Sequence, residues 1–197
     1  METNIHITSI RNLVCLLAAA LPIAVTANEY IIDDRSSGTL ISALGTEWQF
    51  VADTVMGGVS SGSIDIDSHR GKKCLRLRGN VTTENNGGFV QAALSLSRDA
   101  VFDATAIDGI AFEVAGNNES YNIHLRTKGL RFPWQSYRAS FIATPEWQSV
   151  RIPFSELEAY KTAQQFRKDE LKRIGLLGIG RNFRADLCLG AIRFYSD

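Results

Sequence analysis

Residues 109–126, Gly109-Ile110-Ala111-Phe112-Glu113-Val114-Ala115-Gly116-Asn117-Asn118-Glu119-Ser120-Tyr121-Asn122-Ile123-His124-Leu125-Arg126, are the most informative run in the chain. Ile110, Phe112 and Val114 fall on alternate positions, and after Gly116-Asn117 the same beat resumes with Tyr121, Ile123 and Leu125. Helices repeat every 3.6 residues or so, so strict alternation marks extended chain with one face buried. Too few residues separate such runs for crossover helices, which makes the pairing antiparallel.

The pattern spreads in both directions. Ile64 and Ile66, Leu75 and Leu77, and Val90, Ala92, Leu94 and Leu96 alternate upstream. Tyr137, Ala139 and Phe141, then Val150, Ile152 and Phe154, then Leu187 to Phe194 alternate downstream. Turn signals stand between them at Ser61-Gly62, Arg70-Gly71, Asn86-Gly87 and Asp108-Gly109. One or two short helical turns are expected, at a capping box formed by Ser155 and Glu158 and over Lys168 to Arg173. With neither an internal repeat nor a linker, some eight to ten short strands make an all-β, single-domain sandwich of two sheets, of jelly-roll type.

Composition narrows the function classes. The 197 residues carry 21 Lys+Arg against 21 Asp+Glu, so the broad basic surface that nonspecific nucleic-acid binding needs is missing. Leu13 to Val25 is apolar apart from Cys15 and Pro22, follows Arg11 and runs into Val25-Thr26-Ala27. Residues 1–27 therefore read as a cleaved secretory signal peptide, too short and broken for a stable membrane span. The domain is 28–197, and the expected location is periplasmic or secreted. Cleavage would take one acid, Glu2, and one base, Arg11, leaving the balance intact. Export also leaves Cys74 and Cys188 where a disulfide can persist. Each sits on the strand face opposite its neighbouring leucines, and a bridge and two free thiols both remain open.

No catalytic pattern survives its context. Gly58-Val59-Ser60-Ser61-Gly62 matches G-x-S-x-G, yet Ile64 and Ile66 continue as strand where a nucleophile elbow needs a helix. Gly175, Gly178 and Gly180 lack the dinucleotide-binding spacing and suit close packing within a strand. Asp33 and Asp34 belong to no calcium-loop pattern, Glu113 reads as a surface acid, and His69 and His124 are far apart in the chain. No metal, cofactor or catalytic residue is expected.

Trp48-Gln49-Phe50-Val51-Ala52-Asp53-Thr54-Val55-Met56-Gly57-Gly58-Val59-Ser60 resembles the signature of the complex I intermediate-associated protein family, with its D-x-V-M-G-G-x-S core complete. Asn85 to Phe89, Tyr121 to Thr127, Trp134 to Tyr137 with Phe141, and Trp147 to Phe154 follow in the family's order. The resemblance implies a galactose-binding-like jelly roll and a non-catalytic module that engages a protein partner during assembly of a complex. Read from physics, Gly57 and Gly58 admit a positive φ or a close approach, Met56 plugs the core, and Asp53 and Ser60 bond the turn's amides. Asn86, Gly87 and Gly88 suit a tight hairpin turn before Phe89. Trp48 and Trp147 are assigned to the core.

A binding cleft is the alternative use of the same fold. Asn122, His124 and Arg126 share the polar face of one strand, while Trp134, Gln135 and Tyr137 add aromatic rings beside hydrogen-bonding groups. Such a grouping suits a carbohydrate or another small polar ligand.

Overall fold

The computed structural model describes residues 29–197; the expected signal segment lies outside them. Twelve strands are present among these residues: β1 (Glu29–Asp33), β2 (Trp48–Ala52), β3 (Ser61–His69), β4 (Lys72–Val81), β5 (Phe89–Ser95), β6 (Gly109–Gly116), β7 (Glu119–Thr127), β8 (Ser136–Ala143), β9 (Gln148–Pro153), β10 (Glu158–Tyr160), β11 (Leu171–Ile179) and β12 (Phe183–Tyr195). They form two six-stranded sheets. One runs β3-β4-β12-β6-β9 with β1 also on β12; the other runs β10-β8-β7-β11-β5-β2. Every pairing is antiparallel.

The alternation read from the sequence is what lets the sheets stack. Leu75, Leu77, Phe112, Val114, Leu187 and Leu189 from one sheet meet Trp48, Val90, Leu94, Tyr121, Ile123 and Leu125 from the other in a single buried cluster. Each such side chain contributes about 1.5–3 kcal/mol by leaving water. The result is a jelly-roll β-sandwich.

Several local expectations change in the fold. Glu158 opens β10, and Ser155 lies inside a 3-10 turn, Phe154–Glu156, with no side-chain cap bond. Lys168–Glu170 is another single 3-10 turn, and Leu171 already belongs to β11. Edge pairing with β8 and central pairing with β5 and β7 outweigh those weak helical signals. Ser61-Gly62 is strand: a Cβ on Gly62 would stand 2.2 Å from the Arg78 carbonyl oxygen, so the glycine serves close strand packing. Arg70-Gly71 does make the two-residue β3–β4 hairpin, with both φ values positive, 50° and 80°.

Cys74 and Cys188 are joined, with their Cα atoms 5.3 Å apart on neighbouring strands β4 and β12. They sit on the outer face of their sheet with Ala115, beneath Trp147. Trp147 thus covers the bridge instead of entering the main core, and its Nε1–H donates to the His69 carbonyl at 3.0 Å. Trp48 is in the main core, and its Nε1–H donates to Asp33 at 2.8 Å.

Candidate functional site

Asp53 closes the β2 end of the sandwich. It begins a 3-10 turn, Asp53–Met56, that ends at Gly57 with φ 89°. Its buried carboxylate accepts the Ser60 N–H at 2.9 Å and the Phe89 N–H at 3.2 Å, together with the Gly88 N–H and the Ser60 hydroxyl. Burial opposes the charge, but the hydrogen bonds outweigh it and hold the carboxyl below its ordinary range. The glycines follow from this packing. A Cβ on Gly58 would come within 2.4 Å of the Asp53 carboxyl, and one on Gly87 within 2.5 Å. The signature motif is therefore a staple between two chain segments. Ser60 spends its hydroxyl on Asp53 and the Thr82 carbonyl, while the His69 ring meets the Pro145 carbonyl at 2.7 Å and His124 lies on another strand.

Asn86-Gly87 is not a hairpin turn. The 3-10 turn Glu84–Asn86 carries the chain from β4 in one sheet to β5 in the other, with Asn85 and Asn86 both left-handed. The arch stands at the edge of a cleft of about 310 Å³ on the outer face of the β10–β2 sheet. Met56 lines this cleft, 43% exposed, instead of plugging the core. Val55 and Gly88 stand beside it.

Register sets out the outer face on which the cleft lies. Val51, Gln91, Leu177 and Asn122 stand in one row across β2, β5, β11 and β7. Gly175, His124 and Arg138 form the next row, and Arg173 faces Arg126 in the one after. The Gln91 side chain lies over Gly175, its amide nitrogen 1.9 Å from where a Cβ would stand. His124 is nearly buried, and its Nε2 has no hydrogen-bond partner. Burial first, then the charges of Arg138 and Arg126, push its pKa down to about 4, so the imidazole is neutral at ordinary pH.

The second wall comes from the loop between β7 and β8. Arg126 gathers its carbonyls: Nη1 donates to Phe132 at 2.9 Å and Pro133 at 2.8 Å, and also to Gln135. The Gln135 Oε1 accepts the Arg131 and Phe132 amides, each at 3.0 Å, while its Nε2 donates to the Lys161 carbonyl. These bonds hold Phe132 and Trp134 in a stack with centroids 5.0 Å apart and planes 6° from parallel. The rings are 50% and 45% exposed. Tyr160, under the Arg138 guanidinium, and Lys161 complete the wall.

Of the residues grouped by sequence, His124, Arg126, Trp134 and Gln135 line the cleft. Tyr137 does not: its ring is buried against Phe166 and its hydroxyl donates to the Gln164 and Gln165 carbonyls. Asn122 shares the outer face but lies outside the cleft, with its Oδ1 accepting from Ser140 Oγ at 3.4 Å. Gln91, Tyr160 and Arg173 went unnoticed in sequence. Gln91 and Arg173 are polar residues opposite apolar neighbours in their strands, which was the available signal, whereas Tyr160 is placed only by β10 pairing with β8.

Comparison with known proteins places this geometry among solved folds. The family 11 carbohydrate-binding module of the Clostridium thermocellum cellulase Lic26A-Cel5E superposes with a TM-score of 0.67 at 16% identity, over 86% of this chain and 95% of that one. A complex of the C. thermocellum family 11 module with a beta-1,3-1,4-mixed-linked tetrasaccharide gives 0.66 at 15%, over 85% and 95%. The family 30 module of C. thermocellum Cel9D-Cel44B gives 0.62 at 16%, over 86% and 98%. At these identities the likeness is one of fold. No curated protein matches the sequence. The model of the family described as complex I intermediate-associated protein 30 matches residues 42–187, a span that holds the Asp53 staple, both walls of the cleft and all of its floor; the chain belongs to that family.

Proposed function

We propose that this protein is a non-catalytic binding module whose ligand is a carbohydrate or a similarly polar small molecule, held in the cleft of the β10–β2 sheet. One observation carries the reading: Trp134, braced by the Phe132 ring stacked on it and still 45% exposed, stands at the wall of a cleft floored by Gln91, His124 and Arg173. Flat rings suit the apolar face of a sugar, and fixed donors and acceptors suit its hydroxyls. The carbohydrate-binding modules that share the fold lend the reading support. In a glycan screen, a ligand should emerge whose affinity falls about tenfold or more in Trp134→Ala while the melting temperature is kept. Binding that survives the substitution undamaged would remove the site.

A second reading has a protein partner docking on the same rim during assembly of a complex, as the family name suggests. Val55 and Met56 are exposed hydrophobics that line the cleft together with Trp134, and they favour it. Mild crosslinking in cells should then trap one partner, and Val55→Asp should release it. Export by cleavage after Ala27 goes with either reading. N-terminal sequencing of the mature protein is the check, with Asn28 as the first residue. Among the described residues no helix is long and apolar enough to cross a membrane.

A further inference from the structure

Charge separates the two outer faces of this sandwich. On the β3–β9 sheet most outer-face cations are paired, Lys72 with Glu113, Arg76 with Asp186 and Asp67, and Arg78 with Asp67, with Arg184 at the end of β12 the exception. On the cleft face they are not. Arg126, Lys161 and Arg173 line the cleft, no Asp or Glu does, and among the described residues none of these three forms an ion pair. Arg173 stands directly opposite Arg126 in the β11–β7 register, and like charges at facing positions repel. The Nε of Arg173 is buried without a partner, and so is Nε2 of His124 in the adjoining row. A buried donor left unmade is costly, and so is a partly buried guanidinium with no counter-charge. A chain with as many acids as bases has the means to give these groups a counter-charge, yet Arg126 is met only by neutral carbonyls and Arg173 by no acid.

We propose that the cleft's ligand is an acidic glycan, one whose sugar bears an oxoanion that sits between Arg126 and Arg173 while its ring rests on Trp134. This rests on the carbohydrate reading above and narrows it. The guanidinium fork of Arg173 matches a carboxylate or a sulfate ester in shape as well as in charge. The neutral imidazole of His124 leaves its Nε2 for a sugar hydroxyl.

The test measures binding of the mature protein to polygalacturonate, dextran sulfate, a neutral mixed-linkage β-glucan and a single-stranded oligonucleotide, each at low and high salt. The expected result is binding to one of the two acidic polymers, weakening as salt rises, with about a tenfold loss in Arg173→Gln. The choice between those two polymers names the oxoanion. Lys161→Gln, at an exposed wall position, gives the same direction of change if Arg173→Gln fails to fold, and Arg78→Gln on the opposite sheet leaves binding unchanged. Equal binding of the neutral glucan, indifferent to salt and to Arg173→Gln, overturns the acidic ligand and leaves the carbohydrate reading standing. Failure to bind any of the glycans overturns both. An oligonucleotide held more tightly than the acidic polymers also overturns the proposal.

Discussion

At the scale of single residues, Asp53 has the largest predicted effect. Asp53→Ala strands the amides of Ser60, Gly88 and Phe89 and the Ser60 hydroxyl. Hydrogen bonds to a charged acceptor are worth about 1.5–3 kcal/mol each and do not add fully, so a loss of about 3–5 kcal/mol is expected. Urea unfolding measures it as a lower midpoint at unchanged slope; a loss under about 1 kcal/mol would strip Asp53 of its role as a staple. His124 yields a pH prediction. Its folded pKa, about 4, lies below the unfolded 6.5, so the unfolded chain binds the proton first. Stability is therefore complete above pH 6.5 and is lost as pH falls toward 4, by an amount on the order of 3 kcal/mol. The groups facing the imidazole are Arg126 on its own strand, Arg138 on β8 and Tyr160 on β10, with Gly175 on the β11 side. His124→Gln should flatten the stability curve between those pH values, while the Asp53 contribution disappears only in more acid solution. An unaltered slope in that variant would mean that His124 is not the group titrating.

At the scale of elements, the β4–β12 pair is cross-linked through residues 114 apart in sequence. Closing so long a loop restricts the unfolded chain, and double replacement by serine should cost about 2–4 kcal/mol. A thiol assay on denatured, unreduced protein should find no free Cys74 or Cys188; two titratable thiols would contradict the bridge. The loop between β7 and β8 is another unit with its own test. Gln135→Ala removes the acceptor shared by the Arg131 and Phe132 amides. Faster amide exchange confined to residues 130–136 is expected, with the core protected as before; exchange spread through the core would mean that the loop is not an independent unit. Alternation of period two found most strands because each has one face in the core and one outside it. It missed the onset of β11, whose Lys168 to Arg173 approach carries a helical pattern, since the pairing that makes Leu171 extended comes from β7, more than forty residues earlier.

At the scale of the whole molecule, the cleft is a product of the two-sheet architecture. Its walls come from segments that follow β2, β4, β7 and β10, and its floor from the four adjacent strands β7, β11, β5 and β2. His124, Arg126, Trp134 and Gln135 could be grouped from sequence because they lie within a dozen residues of one another. Gln91 and Arg173 reach them only when β5 and β7 flank β11. Tyr137 lies outside the cleft for the converse reason: closeness in sequence to Trp134 says nothing of which face it takes, and alternation from Ser136 turns its ring inward.

The sequence by itself determined the sandwich and the family signature, because alternation, turn residues and a contiguous motif are local properties of the chain. Only the tertiary structure decided that Asp53 ties two loops together, that Cys74 meets Cys188, and that Arg126 faces Arg173 across a strand boundary. Those relations depend on the register of distant strands, and register is set by the packing of both inner faces at once.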